Sequence, residues 1–277
     1  MNENNTFELS EHFYSVQCEG ISTGAPAYFI RLKNCNLACG FSGKALVELK
    51  RQVNEIEGYI SGGNVVGDLQ QQGAATWTCD SAPVWLKGAH TNFKELIDSW
   101  NEQGIFEWIR TGRIHMIWTG GEPTIPKHQK AIASFLYDFK LKYGAIESYS
   151  EIETNGTIYI EDDLFKHLNQ INCSVKLANS GMERDRRIVP EALRRIMEHE
   201  NYSFKFVVST EDDFKEIIND FVKPFEIPFE RICMMPGLDS QEDYHERTRF
   251  VLEMAKKYGY RGLSRLHISA WDRATGV

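Results

Sequence analysis

The sequence lacks a basic excess. Its 31 Lys and Arg are outnumbered by 39 Asp and Glu, a formal charge of −8. That balance excludes a global positive field for nucleic acid or for an anionic membrane surface, and leaves only a local basic pocket for a small anion. No run of about eighteen apolar residues occurs, so no membrane span is expected. The start, MNENNTFELSEH, has neither the positive segment nor the apolar stretch of a secretory signal. A cytoplasmic setting is therefore expected. Internal repeats and low-complexity tracts are missing too. Six cysteines are few for a disulfide framework in a chain of 277 residues. Neither a C-x2-C nor an H-x3-5-H pair is present, which withholds the usual partners of a four-ligand zinc site.

What is there is an ordinary globular composition, 42% hydrophobic and 25% charged, enough for one large α/β domain. Strand-like runs cover Ala27–Lys33, Ile114–Thr119, Tyr149–Thr154, Ile171–Lys176, Phe204–Ser209, Arg231–Met235 and Ser264–Ile268. Between them apolar residues take helical spacing, as in Phe93, Leu96, Ile97 and Trp100, in Ile132, Phe135, Leu136 and Phe139, and in Phe214, Ile217, Ile218 and Phe221. Thr210 and Ser240 stand where helix N-caps belong, with Asp213 and Asp243 three residues on. Strands alternating with helices predict a mainly parallel sheet, in the form of an open or partial (β/α) barrel. Residues 1–277 are expected to form a single domain. Within it, residues 40–78 break the rhythm: Leu46, Leu49, Val53, Ile56 and Ile60 make a helical stripe, followed by the glycine-rich SGGNVVGDLQQQG. This stretch is expected to be a helix and loop inserted at the surface.

Function in such folds collects at the carboxyl ends of the strands. Each unusual peptide falls at one: CNLAC after the first run, TGGEP after the second, ETNGT after the third, SVK at the fourth. Cys18, Cys173 and Cys233 lie in or beside strands and need only be small buried hydrophobes. Cys35 and Cys39 differ, being close together in a polar turn. On spacing alone they are part of a metal or iron–sulfur site, or two free thiols.

Taken together, Cys35-Asn36-Leu37-Ala38-Cys39 and the distant Cys79-Asp80-Ser81 resemble a split form of the radical S-adenosylmethionine (SAM) signature, and in particular the CNL-x-C-x-x-CD-T loop of the 7-carboxy-7-deazaguanine synthases. Ser42 occupies the position of the third cysteine in an uninterrupted loop, so Cys79 is expected to replace it. Upstream, Gln17-Cys18-Glu19-Gly20, Gly24 and Phe29-Ile30-Arg31-Leu32 are similar to the family's QGEG…FiRl segment. Downstream, Thr119-Gly120-Gly121-Glu122-Pro123, Glu153-Thr154-Asn155-Gly156-Thr157, Ser174-Val175-Lys176, Lys205, Met235-Pro236-Gly237 and Arg265-Leu266-His267 follow in the family's order.

The resemblance implies a [4Fe–4S] cluster on Cys35, Cys39 and Cys79, with one iron left open to chelate SAM, and SAM contacts from Gly120, Gly121, Glu122, Asn155, Ser174 and Lys176. Glu122 is the expected acceptor for the SAM ammonium. It further implies 6-carboxy-5,6,7,8-tetrahydropterin as substrate, contacted by Gln17, Glu19, Arg31, Thr119 and His267. Mg²⁺ is expected on the hydroxyl of Ser81. The product would be 7-carboxy-7-deazaguanine, formed with loss of ammonia in queuosine-type 7-deazapurine biosynthesis. Catalytic side chains are not implied, because cluster and SAM carry the radical chemistry. The partners implied are a small-molecule pterin and an electron donor such as flavodoxin, with a homodimer left open. Two rivals remain. An activase for a glycyl-radical enzyme shares the cysteine loop and the GGEP-like segment but does not require Gln17, Glu19 and Arg31. A non-enzymatic metal-site protein rests on Ser42 and on the long separation of Cys39 from Cys79.

Overall fold

The computed structural model describes residues 6–55, 75–79, 81–237, 241–272, 274 and 276. Among these, nine strands form one sheet: β1 (Thr6–Val16), β2 (Pro26–Leu32), β3 (Ala89–Asn92), β4 (His115–Gly120), β5 (Ser150–Thr154), β6 (Gln170–Val175), β7 (Tyr202–Val208), β8 (Ile232–Pro236) and β9 (Arg261–Gly262). Their order is β3-β1-β2-β4-β5-β6-β7-β8-β9. From β2 to β9 the neighbours run parallel, while β1 is antiparallel to both β2 and β3. Parallel neighbours need crossovers, and the expected helical stripes supply them. Helix Phe93–Glu102 buries Phe93, Leu96, Ile97 and Trp100. Helix Pro126–Tyr143, between β4 and β5, buries Ile132, Phe135, Leu136 and Phe139.

Alternation along each strand sorts its side chains onto two faces. Tyr28, Ile30 and Leu32, Met116 and Trp118, and Phe204, Phe206 and Val208 join one apolar core with the helices. The opposite face, the inner side of the partial barrel, carries buried Thr119 on β4, Glu151 on β5, Gln170 and Asn172 on β6, and Ser203 and Lys205 on β7. This mixed α/β architecture agrees with the fold expected from the sequence.

Three local differences stand out. Strands β1 and β3 do not follow from the sequence pattern: the alternation of β1 breaks at Ser10-Glu11-His12, and its pairing with β2 is interrupted by an irregularity between Leu9 and Glu11. Ser264–Ile268 is not a strand. Leu266–Trp271 is helical, and the sheet ends in the two-residue β9, because so short an apolar run has no period to distinguish the two states. Thr210 and Asp213 do form a capping box, whereas Asp243 sits at the N-cap of helix Tyr244–Tyr258 without a side-chain cap bond. Ser240, Ile56 and Ile60 lie outside the described residues, but the inserted helix forms over Gly43–Glu55. Among the described residues no helix is long and apolar enough to cross a membrane.

Candidate active site

The cysteine loop leaves the carboxyl end of β2. Asn34, in a left-handed conformation at φ 69°, turns the chain so that its carbonyl accepts from Glu122 N at 2.8 Å. A Cβ on Gly121 would overlap that carbonyl oxygen, so only glycine lets the loop after β4 lie this close to Cys35. Gly40 marks the other decisive contact. It sits at φ 81° with the Trp77 carbonyl and Thr78 where a Cβ would be. The chain that departs after Cys39 therefore returns against its own starting point. Cys79 N donates to Cys39 O at 3.1 Å, although 39 residues separate the two in sequence.

The three cysteines share one apolar setting. Leu37, Cys39 and Met182 form a small buried cluster against which Cys35, Trp77 and Cys79 pack. Cys35 and Cys79 also pack on Phe41, Ala45, Leu49, Ala82 and Trp85. The inserted helix thus walls the site instead of standing clear of it. Burial raises the Cys35 thiol well above its ordinary value, with Glu122, Cys79 and Cys39 adding to it. Cys39 is pushed up to about 12, chiefly by burial. Thiols held this way keep their protons until a metal displaces them. Among the described residues no three His, Cys, Asp or Glu converge as ligands of a single ion do. A cubane makes a different demand, since its three protein sulfurs bind three different irons and stay apart. Three cysteines gathered among apolar side chains, with no fourth cysteine beside them among the described residues, fit that group.

The GGEP and ETNGT loops lock onto the cysteine loop. Glu122, expected to accept the SAM ammonium, is fully buried, and its carboxylate is occupied by the chain itself. It accepts from Thr124 N at 2.9 Å, Thr124 Oγ1 at 2.6 Å, Thr154 Oγ1 at 2.7 Å and Asn155 N at 2.7 Å. Burial pushes its carboxyl upward against the pull of those bonds. It is not a solvated helix-start carboxylate; three of the four bonds fall on Oε1 and one on Oε2. Ser174 and Lys176 do adjoin the cysteine loop: Lys176 Nζ donates to Ser174 Oγ at 2.8 Å and lies 5.8 Å from the ring of Trp77. Ser81 Oγ is 3.4 Å from Cys79 Sγ. Asp80 lies outside the described residues.

A second polar centre occupies the inner face of the sheet. Gln17 Nε2 donates to Glu153 Oε1 at 3.0 Å. Lys205 Nζ reaches the same oxygen at 2.9 Å and Glu19 Oε2 at 3.3 Å. Arg265 Nε donates to Glu19 Oε1 at 2.9 Å. Burial opposes a charged Glu19, but Arg265, Lys205 and His267 outweigh it and hold the carboxyl far below the carboxylate range. Burial likewise opposes the Lys205 ammonium, and Glu153 and Glu19 reverse it, so its pKa is raised. Gln17, Glu19 and His267 are thus brought together as the sequence suggested. Glu153, Lys205 and Arg265 were not named as site residues. The signal for Lys205 was readable: in Phe204-Lys205-Phe206, alternation sends the lysine to the face opposite two buried phenylalanines. Arg31 and Thr119 face each other in register on β2 and β4, but the guanidinium is engaged by Glu11, with Nε 3.0 Å from Oε1.

Along nearly its whole length the chain is similar to curated 7-carboxy-7-deazaguanine synthases. It is 27% identical to that of Pyrobaculum aerophilum, over 96% of this chain and 95% of the relative. It is 25% identical to that of Halobacterium salinarum, over 96% of this chain and 91% of the relative. Among solved structures, QueE from Escherichia coli superposes with a TM-score of 0.56 at 21% identity, covering 95% of this chain and 99% of that one; this likeness speaks to the fold. No family model matches the chain.

Proposed function

We propose that this chain belongs with the 7-carboxy-7-deazaguanine synthases and is a radical SAM lyase that converts 6-carboxy-5,6,7,8-tetrahydropterin to 7-carboxy-7-deazaguanine with loss of ammonia. The observation that carries this is the meeting of Cys79 with Cys39 across the insertion, which brings three cysteines, and among the described residues no fourth, into one cluster. When bound, cluster and SAM together supply a carbon radical able to abstract hydrogen from the substrate.

The protein's own part is binding, orientation and exclusion of water. Cys35, Cys39 and Cys79 hold the cluster. Gly120 and Gly121 allow close backbone approach at the end of β4, where SAM would lie, and Ser174 and Lys176 offer a hydroxyl and a cation to its ribose or carboxylate. Glu122 and Asn155 hold the shape of that floor. On the inner face Gln17, Glu19, Glu153 and Thr119 present donors and acceptors to a pterin edge. Lys205, Arg265 and Arg31 supply cations for the substrate carboxylate, and His267 closes the same side. For Arg31 this requires exchanging Glu11 for the ligand. Ser81 gives a hard oxygen for Mg²⁺, which keeps substrate and water oxygens in its shell. The electron comes from a separate carrier such as flavodoxin. The chain works as one domain in the cytosol, where Cys18, Cys173 and Cys233 remain free thiols, and a homodimer is the assembly to examine by light scattering.

Anaerobic incubation with SAM, a reductant and the carboxytetrahydropterin tests the activity: the deazaguanine chromophore is expected. SAM cleavage only in the presence of a glycyl-radical partner protein would point to the activase instead, and a chain without bound iron would leave neither. Ser81→Ala is expected to raise the Mg²⁺ concentration needed for turnover. Unchanged metal dependence removes Ser81 from the magnesium site.

A further inference from the structure

The geometry points to Asn155 as a positioning residue that donates a hydrogen bond to the sulfur of Cys35 and thereby raises the reduction potential of the cluster bound there, with Glu122 fixing it in place. This rests on the cysteine trio holding a [4Fe–4S] cluster. Asn155 is buried at the end of β5. Its Nδ2 lies 3.9 Å from Cys35 Sγ and 2.8 Å from Asn36 Oδ1. The orientation of the amide is not arbitrary, because Oδ1 accepts both Thr157 N at 3.0 Å and Thr157 Oγ1 at 2.6 Å. Two donors on that oxygen leave the NH₂ aimed at the cysteine loop. The backbone is held as firmly, since Asn155 N donates to the buried Glu122 carboxylate. Leu37 N, at 3.5 Å, is a second amide donor to the same sulfur. Cys79 has instead the Ser81 hydroxyl.

Reduction adds negative charge to a cluster and its thiolates. A fixed N–H aimed at one sulfur among apolar side chains favours the reduced form, so hydrogen bonds to the sulfurs are among the protein's levers on potential. An amide held by three loops after β2, β4 and β5 maintains that bond with little reorganisation. The role is distinct from contact with SAM and needs no substrate to be observed.

The test is an anaerobic redox titration of the reconstituted protein, followed by electron paramagnetic resonance, with iron counted in parallel. Asn155→Leu keeps the volume without a donor or a charge, and Asn155→Asp keeps the acceptor to Thr157 without the N–H. Both are expected to bind the wild-type amount of iron with a midpoint shifted to lower potential. Thr157→Val, which only loosens the amide, should shift it in the same direction by less. A wild-type midpoint in Asn155→Leu at full iron content overturns the proposal. If that variant does not load, an unchanged midpoint in Thr157→Val overturns it equally. Absence of iron from the wild-type chain is a different failure, that of the cluster assignment itself.

Discussion

Two carboxylates, the fully buried Glu122 and the part-buried Glu19, sit in the same molecule under opposite electrostatics. Glu122 is surrounded by neutral donors from its own loop and from β5, and burial drives its carboxyl up. Glu19 is surrounded by Lys205, Arg265 and His267, and its carboxyl is driven down. The first centre is closed: every donor belongs to the loops that it joins, which is what a fixed frame needs. The second is assembled from the β1–β2 turn, β5, β7 and the approach to the last helix, and is made of charged heads that can exchange one carboxylate for another. Buried charges are costly unless paired, and here Glu19 and Glu153 each have a cation from the chain itself; in the proposed function this knot receives the charged substrate.

That contrast can be broken in several ways, the largest effect first. Cys79→Ala removes one of three sulfurs. Anaerobic reconstitution should then leave most of the iron unbound and product formation at background, while circular dichroism stays native. Retention of a full cluster would mean that another ligand completes it. Next, Lys205→Met strands Glu19 and Glu153 without their shared cation. Removing one partner of a buried ion pair costs about 3–5 kcal/mol, to be read as a lower urea midpoint, and the KM for the pterin should rise as well. Glu122→Gln keeps the shape but turns an all-acceptor group into half a donor facing other donors. A loss of about 1–3 kcal/mol is expected, with slower iron uptake and little change in KM. If KM moves more than stability, Glu122 belongs to the recognition centre after all. The smallest effect concerns pH. Because the folded pKa of Glu19 is depressed, its stabilisation is fully present above the unfolded carboxylate value of roughly 4.3. It is lost as pH falls through the folded value. Glu122, raised in the fold, contributes in the other direction: its share is present at low pH and is lost as pH rises through the folded value. Between pH 8 and 6 wild type and Glu19→Gln should therefore keep a constant stability difference, which narrows only in strong acid. A difference that already narrows near neutrality would show Glu19 to be poorly paired.

Much of this was legible in the sequence, because the parallel strands and their terminal motifs repeat a simple rule of period and position. Phe93 to Trp100 and Ile132 to Phe139 bury the side chains that their spacing predicts. The cysteine trio was legible only through resemblance, since the spacing of Cys35 and Cys39 alone left free thiols open. Edge elements were less legible. β1 carries Glu8, Glu11 and His12, and its identity comes from partners on both sides, not from its own alternation. Ser264–Ile268, expected as a strand, runs instead into the helix Leu266–Trp271 next to a two-residue edge. The roles of Glu122 and Glu153 were hidden for another reason. Whether a carboxylate faces ligand or backbone depends on which loops meet it, and that is a property of the tertiary fold.

The contact of Gly40 with Trp77 and Thr78 has a consequence for how such proteins are found and altered. Since both ends of the excursion share one anchor point, its length is decoupled from the spacing of the sulfurs, and closing a loop twice as long costs only about 0.6 kcal/mol. Fixed-interval signatures will pass over chains built this way. The same junction is a natural port at which foreign sequence of any length could be spliced beside the three cysteines, provided that the glycine and the wall formed by Ala45 and Leu49 are kept.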